Sequence, residues 1–201
     1  QVTLTSRIII WSTIWLSLIG TALIFLGEPS IQSKPTDERL MASFFQAMTS
    51  MTTVGFNTIS ISGLSRAILL MLTVLMIIGA SPSGTGGGLK STTFSEMIGV
   101  MRSALRGEKE VRFWGRLVPF ERIWMATAAM GFYVLLFVTG TFLLELTEKF
   151  EFEQTLFEAA SALGTVGLST GITSSLSTIG KLVIIMLMLC GRLGPLTFGI
   201  A

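Results

Sequence analysis

The sequence predicts an all-α membrane protein built as two parallel copies of one unit. Each unit is a spanning helix, a short re-entrant helix, a glycine-containing loop and a second spanning helix. Three observations carry this. Half of the residues are hydrophobic and 13% are charged, a composition of integral membrane proteins. Four apolar segments, residues 8–26, 64–80, 123–144 and 179–200, reach or approach the ~20 residues that a helix needs to cross hydrocarbon. Two others, 40–51 and 152–163, are too short to span, and each runs into a loop of one pattern, Thr53-Val54-Gly55-Phe56-Asn57-Thr58 and Thr165-Val166-Gly167-Leu168-Ser169-Thr170.

The first unit covers residues 1–89, with spans at 8–26 and 64–80 around the short helix at 40–51. A basic connector follows at 90–122, and the second unit covers 123–201. The copies stay in register from short helix through second span: Gly55 and Gly167 differ by 112 positions, as do Phe45 and Phe157, Ala47 and Ala159, and Gly79 and Gly191. A constant offset marks an internal repeat, which shared apolar composition alone does not produce. The chain opens on Gln1 and stops at Ala201 within an apolar stretch, so a segment of a longer protein is expected.

Charge placement gives an orientation. The connector holds Lys90, Arg102, Arg106, Lys109, Arg112, Arg116 and Arg122, which the positive-inside rule assigns to the cytoplasm. Glu28, Asp37, Glu38, Glu145, Glu148, Glu151 and Glu153 fall on the opposite side, with both loops. There they could raise local cation concentration or be ordinary solvated carboxylates. Trp11, Trp15 and Trp124 fit interfacial anchors near the inner helix ends.

Non-helical backbone at membrane depth survives only where it is buried in protein or lines water. A Thr-Val-Gly run at the foot of a membrane-embedded half-helix can present carbonyls that replace the hydration shell of K⁺. Glycine lets those carbonyls crowd a central ion, and the hydroxyls of Thr53 and Thr165 are further candidate ligands. No titratable side chain lies within either loop, which argues against a proton relay. Without His and with Cys190 alone, neither a disulfide framework nor a Cys/His metal site can be built. No bound cofactor is expected. Two loops cannot encircle an ion well; four would.

Gly79-Ala80-Ser81-Pro82-Ser83-Gly84-Thr85-Gly86-Gly87-Gly88 breaks the second span of the first unit, since glycine costs about 1 kcal/mol and proline about 3 in a helix interior. The continuation Leu89-Lys90-Ser91-Thr92 lacks the second glycine of a phosphate-binding loop and follows a membrane helix. A nucleotide site is therefore rejected. Surface turn, hinge and intramembrane loop remain open from the residues alone. Arg192 lies 14 residues beyond Thr178, roughly 20 Å into the last helix, either facing the pore or snorkelling to the inner headgroups. Glu158 stands in the second short helix where Gln46 stands in the first. It is either a partner of backbone behind the loop or an ordinary helix-start carboxylate.

Over essentially all of its 201 residues the chain resembles the Trk/Ktr/HKT superfamily of potassium transporters, as the third and fourth of that family's four units. The most specific parts are Thr53 to Thr58, Gly79 to Gly88 and Gly191-Arg192-Leu193-Gly194-Pro195. The resemblance implies a selectivity filter binding K⁺ through the carbonyls of Thr53, Val54, Gly55 and Phe56, and of Thr165, Val166, Gly167 and Leu168. It implies a gate formed by Gly79 to Gly88 and a positive barrier at Arg192. It further implies a multi-pass protein of the cell membrane that is no enzyme, a homodimer, and a cytoplasmic nucleotide-binding regulatory ring. Na⁺ as a modulator stays open. Membrane lipid is a further partner, and no nucleic acid is expected. The rival from another class is an alternating-access carrier that binds a small solute at broken helices near the midplane.

Overall fold

The computed structural model describes residues 3–79, 87–108, 110–113 and 116–193. The expected gate positions Ala80, Ser81, Pro82, Ser83, Gly84, Thr85 and Gly86 lie outside these, as does the 194–200 part of the last expected span.

Among the described residues the chain is mostly helical, as the sequence predicts. Helix α1, Leu4–Gly27, starts at Thr3, whose hydroxyl accepts the Ser6 N–H. Helix α2, Thr36–Met51, carries Asp37 and Glu38 in its first turn, where carboxylates favour the helix dipole. It is the first short helix, longer at its start than the expected 40–51. Helix α3, Arg66–Ile78, runs 13 residues and stops at Gly79, whose φ of 54° leaves the right-handed helix. Helix α5, Phe120–Thr147, extends the expected 123–144 segment at both ends. Helix α6, Phe152–Leu163, opens with a reciprocal capping box between Glu151 and Gln154. Helix α7 covers Thr178–Leu193.

The lengths correct one expectation. Helices α1 and α5 are each long and apolar enough to cross a membrane, but α3 is not. At 1.5 Å per residue it covers roughly 20 Å, short of a ~30 Å hydrocarbon core. Its helical path ends at Ile78, where Gly79 opens the glycine-rich stretch that breaks the span.

The connector holds a further surprise. Helix α4, Ser91–Leu105, packs against α1 and α5. Its inner face is made of small residues at every fourth position: Ser91, Ser95, Gly99 and Ser103. A Cβ at Gly99 would stand 2.6 Å from the Phe113 ring, so glycine admits that contact. A search for large apolar residues at helical spacing misses such a face. Beyond it, β1 (Arg112–Phe113) pairs antiparallel with β2 (Arg116–Leu117), with Arg112 opposite Leu117.

Helix α1 packs on α2 and α3, and α5 packs on α6 and α7 in the same manner. The seam between the halves is α3 against α6. One buried cluster joins Ile24, Leu72 and Met76 to Phe157, Ala160, Val166 and Leu168 across this seam. A second joins Leu144, Ala159, Leu163, Ile184 and Leu187. The outer faces stay apolar: Trp15, Leu18, Trp124, Leu135, Ile179 and Met186 are exposed, as expected for surfaces turned to lipid or to further helices.

Candidate functional site

Both short helices end in the same way. Thr52 N–H donates to Met48 O at 2.8 Å and Val54 N–H to Thr49 O at 3.1 Å. In the second half, Gly164 N–H donates to Ala160 O at 2.8 Å and Val166 N–H to Ser161 O at 2.9 Å. The six-to-one bond made by Val54 and by Val166 is a Schellman closure, in which the penultimate residue turns left-handed and is usually glycine. Here it is threonine: φ is 57° at Thr53 and 53° at Thr165. A β-branched residue held there stores strain of about 1–3 kcal/mol, a state kept only where the surroundings over-determine it. Two residues on, Gly55 and Gly167 also have positive φ, 82° and 93°.

The two loops touch. A Cβ on Gly55 would lie 2.1 Å from Val166 O, and one on Gly167 would lie 3.9 Å from Gly55 Cα. All eight expected filter residues are therefore at or beside one meeting point. Their coverings differ: Val54 and Phe56 are 53% and 70% exposed, whereas Val166 and Leu168 are 3% exposed.

The described ends of the glycine-rich segment reach the same place. Leu89 N–H donates to Ile77 O at 3.1 Å, and a Cβ on Gly88 would lie 3.2 Å from Gly79 Cα. The chain thus leaves α3 and returns to it at nearly one point. Just before that return, Gly87 N–H donates to Thr165 Oγ1 at 2.8 Å, at the base of the second loop. Gly191 of α7 seats against the end of α6, where a Cβ would lie 2.0 Å from Leu163 O. Arg192 follows it, exposed, and near enough to Lys90 for their charges to repel.

Several carboxylates expected at an acidic outer mouth have other work. Glu28 is 1% exposed and closes the end of α1. Its Oε2 accepts the Ser65 N–H at 2.9 Å, at the start of α3, and its Oε1 accepts Ser30 N–H at 3.0 Å. Burial works against its charge, but these hydrogen bonds win and hold the carboxyl below its ordinary range. Glu148 ends α5 and accepts Ser177 N–H at 3.1 Å and Ser177 Oγ–H at 2.6 Å, ahead of α7. Glu145 accepts the Thr155 hydroxyl, and Glu153 pairs with Arg66 at 3.2 Å. The sequence held a signal for the first pair: Glu28 and Glu148 stand 120 positions apart, and Ser65 and Ser177 stand 112 apart. Of the eight extra residues, four lie in the longer link after α1 and four in the longer start of α2, so a search at one fixed offset passes over the match.

Glu158, 4% exposed, lies behind the second loop and accepts the Thr170 backbone N–H at 2.8 Å, so of its two readings the backbone partner holds. No group of three or more His, Cys, Asp or Glu side chains converges among the described residues. The ligands that the meeting point can offer a cation are carbonyl and hydroxyl oxygens of the two loops. Such neutral dipoles suit a dehydrated monovalent ion.

Known proteins resemble this chain in sequence and in fold. Residues 2–201 match the TrkH family, described as cation transport protein. The chain is 37% identical over 196 residues to Ktr system potassium uptake protein B of Vibrio alginolyticus, covering 96% of this chain and 43% of that protein. It is 39% identical over 185 residues to Ktr system potassium uptake protein D of Bacillus subtilis (strain 168), covering 91% and 41%. The crystal structure of the potassium transporter TrkH from Vibrio parahaemolyticus superposes with a TM-score of 0.76 at 20% identity, over 98% of this chain and 43% of that one. The chain spans less than half the length of these relatives, and it belongs to the TrkH family of cation transport proteins.

Proposed function

We propose that this chain supplies two of the four loops of a K⁺-selective membrane pore. The observation that carries the reading is the meeting of Thr53–Phe56 with Thr165–Leu168, each with positive φ at its threonine and at its glycine. In extended backbone, successive residues face opposite sides. A left-handed residue at every second position cancels that alternation, so successive carbonyls can share one side and replace ion hydration. The chain spans 43% of the Vibrio alginolyticus relative, which leaves room for two more such units to complete the ring.

In this reading the two units are residues 1–89 and 123–201, the connector 90–122 is cytoplasmic, and both loops open to the outside. Gly79 to Gly88 is the gate; the Gly87–Thr165 bond supports this by tying one end of the segment to the base of the filter. Arg192 is a fixed positive charge below the filter. A second copy and a cytoplasmic nucleotide-binding ring are the proposed partners, the ring docking on the inner face near the connector.

K⁺, Rb⁺ and Na⁺ flux into liposomes bearing the intact protein tests the reading. Gly55→Ser is expected to lower K⁺ over Na⁺ selectivity about tenfold or more, since the side chain meets Val166 O and cannot relax at this φ. Deleting 83–88 should raise basal flux and weaken regulation. Arg192→Gln should raise K⁺ flux about tenfold with selectivity unchanged, as removal of a pore charge does. Equal selectivity in wild type and Gly55→Ser sinks the filter assignment.

A further inference from the structure

The two loops are backed by different chemistry. Behind the second, four donors converge on the Glu158 carboxylate. Its Oε1 accepts Ser169 Oγ–H at 2.6 Å, Thr170 N–H at 2.8 Å and Thr170 Oγ1–H at 3.1 Å; its Oε2 accepts Thr173 Oγ1–H at 2.7 Å. Glu158 belongs to α6, so these bonds pin residues 169–173, the chain just beyond the loop, to the helix just before it. The loop between those fixed points is further held by Gly167 N–H donating to Ser161 Oγ at 3.2 Å.

The first loop lacks this staple. Gln46 takes the place of Glu158 and is fully buried, yet its amide nitrogen and oxygen have no hydrogen-bond partner among the described residues. Asn57 takes the place of Ser169 and turns to its own loop, donating to Ile59 O at 3.1 Å. Thr49, in the place of Ser161, leaves its hydroxyl unpartnered there as well.

We propose that Glu158 is a positioning residue that sets ion selectivity by fixing the carbonyl spacing of the second loop, which the first loop does not match. This rests on the filter reading above. Discrimination between K⁺ and Na⁺ needs carbonyls that do not follow the smaller ion inward, and that resistance comes from the bonds behind the loop. An ionised carboxylate suits the task because it accepts at every lone pair and its hydrogen bonds are roughly twice as strong as neutral ones. An amide at the same place accepts at one oxygen only and presents a donor to hydroxyls that are already donating.

The test is K⁺, Rb⁺ and Na⁺ flux with the intact protein in liposomes for Glu158→Gln, Thr173→Val, Ser169→Ala, Gln46→Ala and Gly55→Ser. Glu158→Gln is expected to lower K⁺ over Na⁺ selectivity about fivefold or more and to raise KM for K⁺, with maximal K⁺ flux within about threefold of wild type. Thr173→Val and Ser169→Ala each lower the ratio about twofold, and Gln46→Ala shifts it less than either. A purely structural role would reduce K⁺ and Na⁺ flux together and leave the ratio and KM alone. Unchanged ratio and KM in folded Glu158→Gln, beside a collapsed ratio in Gly55→Ser, overturns the proposal and leaves the filter standing. If Glu158→Gln does not fold, an unchanged ratio in both hydroxyl variants overturns it equally. A ratio unchanged in Gly55→Ser as well removes the filter and this proposal with it.

Discussion

Gly79 and Gly191 occupy the same register in the two halves, yet they are glycines for different reasons. At Gly79 the backbone itself is unusual: φ of 54° ends α3 and starts the glycine-rich segment. Gly191 lies inside α7 and needs no special dihedral. It is small because the helix passes so close to α6 that a Cβ would stand 2.0 Å from Leu163 O. One half has thus ended its second helix where the other continues it to Leu193, pressed against α6. A repeat supplies the scaffold twice, and at one register the copies diverge: α3 ends there and α7 continues.

The largest effect that sharpens this contrast is on stability. Gly191→Ala forces α7 off α6 and is expected to cost about 3 kcal/mol, as overpacking against backbone does. Gly79→Ala meets a backbone (φ 54°, ψ −178°) that essentially only glycine adopts and sets a Cβ 2.7 Å from Leu89 O, so about 1–3 kcal/mol and a change in flux are expected together. Thermal unfolding in detergent separates them. Equal melting of wild type and Gly191→Ala would show that α7 does not seat there.

The paired tethers come next. Glu28 and Glu148 each end one helix and hold the start of the next but one, and Glu28 is the more buried. Glu28→Gln should cost about 1–3 kcal/mol and Glu148→Gln less, because water can replace a lost bond at the more open site. Acid sharpens the comparison. Against burial, hydrogen bonds from Ser65 and Ser30 hold the folded-state Glu28 carboxyl below its ordinary range, so its stabilisation is complete above that range and is lost as pH falls through the lower folded value. Glu28→Gln should flatten the fall in stability below about pH 4.5. An unaltered acid limb would show that the Ser65 and Ser30 bonds do not govern it.

A smaller difference lies at the loop bases. Thr165 Oγ1 accepts from Gly87, a contact that binds the glycine-rich segment to the second loop. Thr165→Val removes that acceptor and should raise basal flux about two- to fivefold, in proportion to one hydrogen bond. Regulated flux at wild-type basal level would detach the segment from the filter. Smallest of all is Arg66→Ala, which opens the 3.2 Å pair with Glu153 across the α3–α6 seam. With Arg66 78% exposed, less than about 0.5 kcal/mol is expected, checked in the same melting assay.

The repeat was legible because it is written in local rules. Apolar runs, two helices too short to span, and Thr-Val-Gly loops at one offset are all readable without neighbours. The special geometry was half legible. Gly55 and Gly167 announce a positive φ, but Thr53 and Thr165 do not, because nothing in a threonine's own preferences favours it. Helix α4 was invisible because its buried face is small rather than apolar.

The sequence by itself determined the helical membrane class, the two copies and the loops, since composition and periodicity act along the chain. Only the tertiary structure decided which loop is stapled, where the glycine-rich segment returns to α3, and which carboxylates face protein rather than water. Those depend on distances between residues far apart in sequence: Glu28 to Ser65, Gly55 to Val166, Gly87 to Thr165. A hydrogen bond fails within about an ångström of misplacement, and only packing fixes positions that finely.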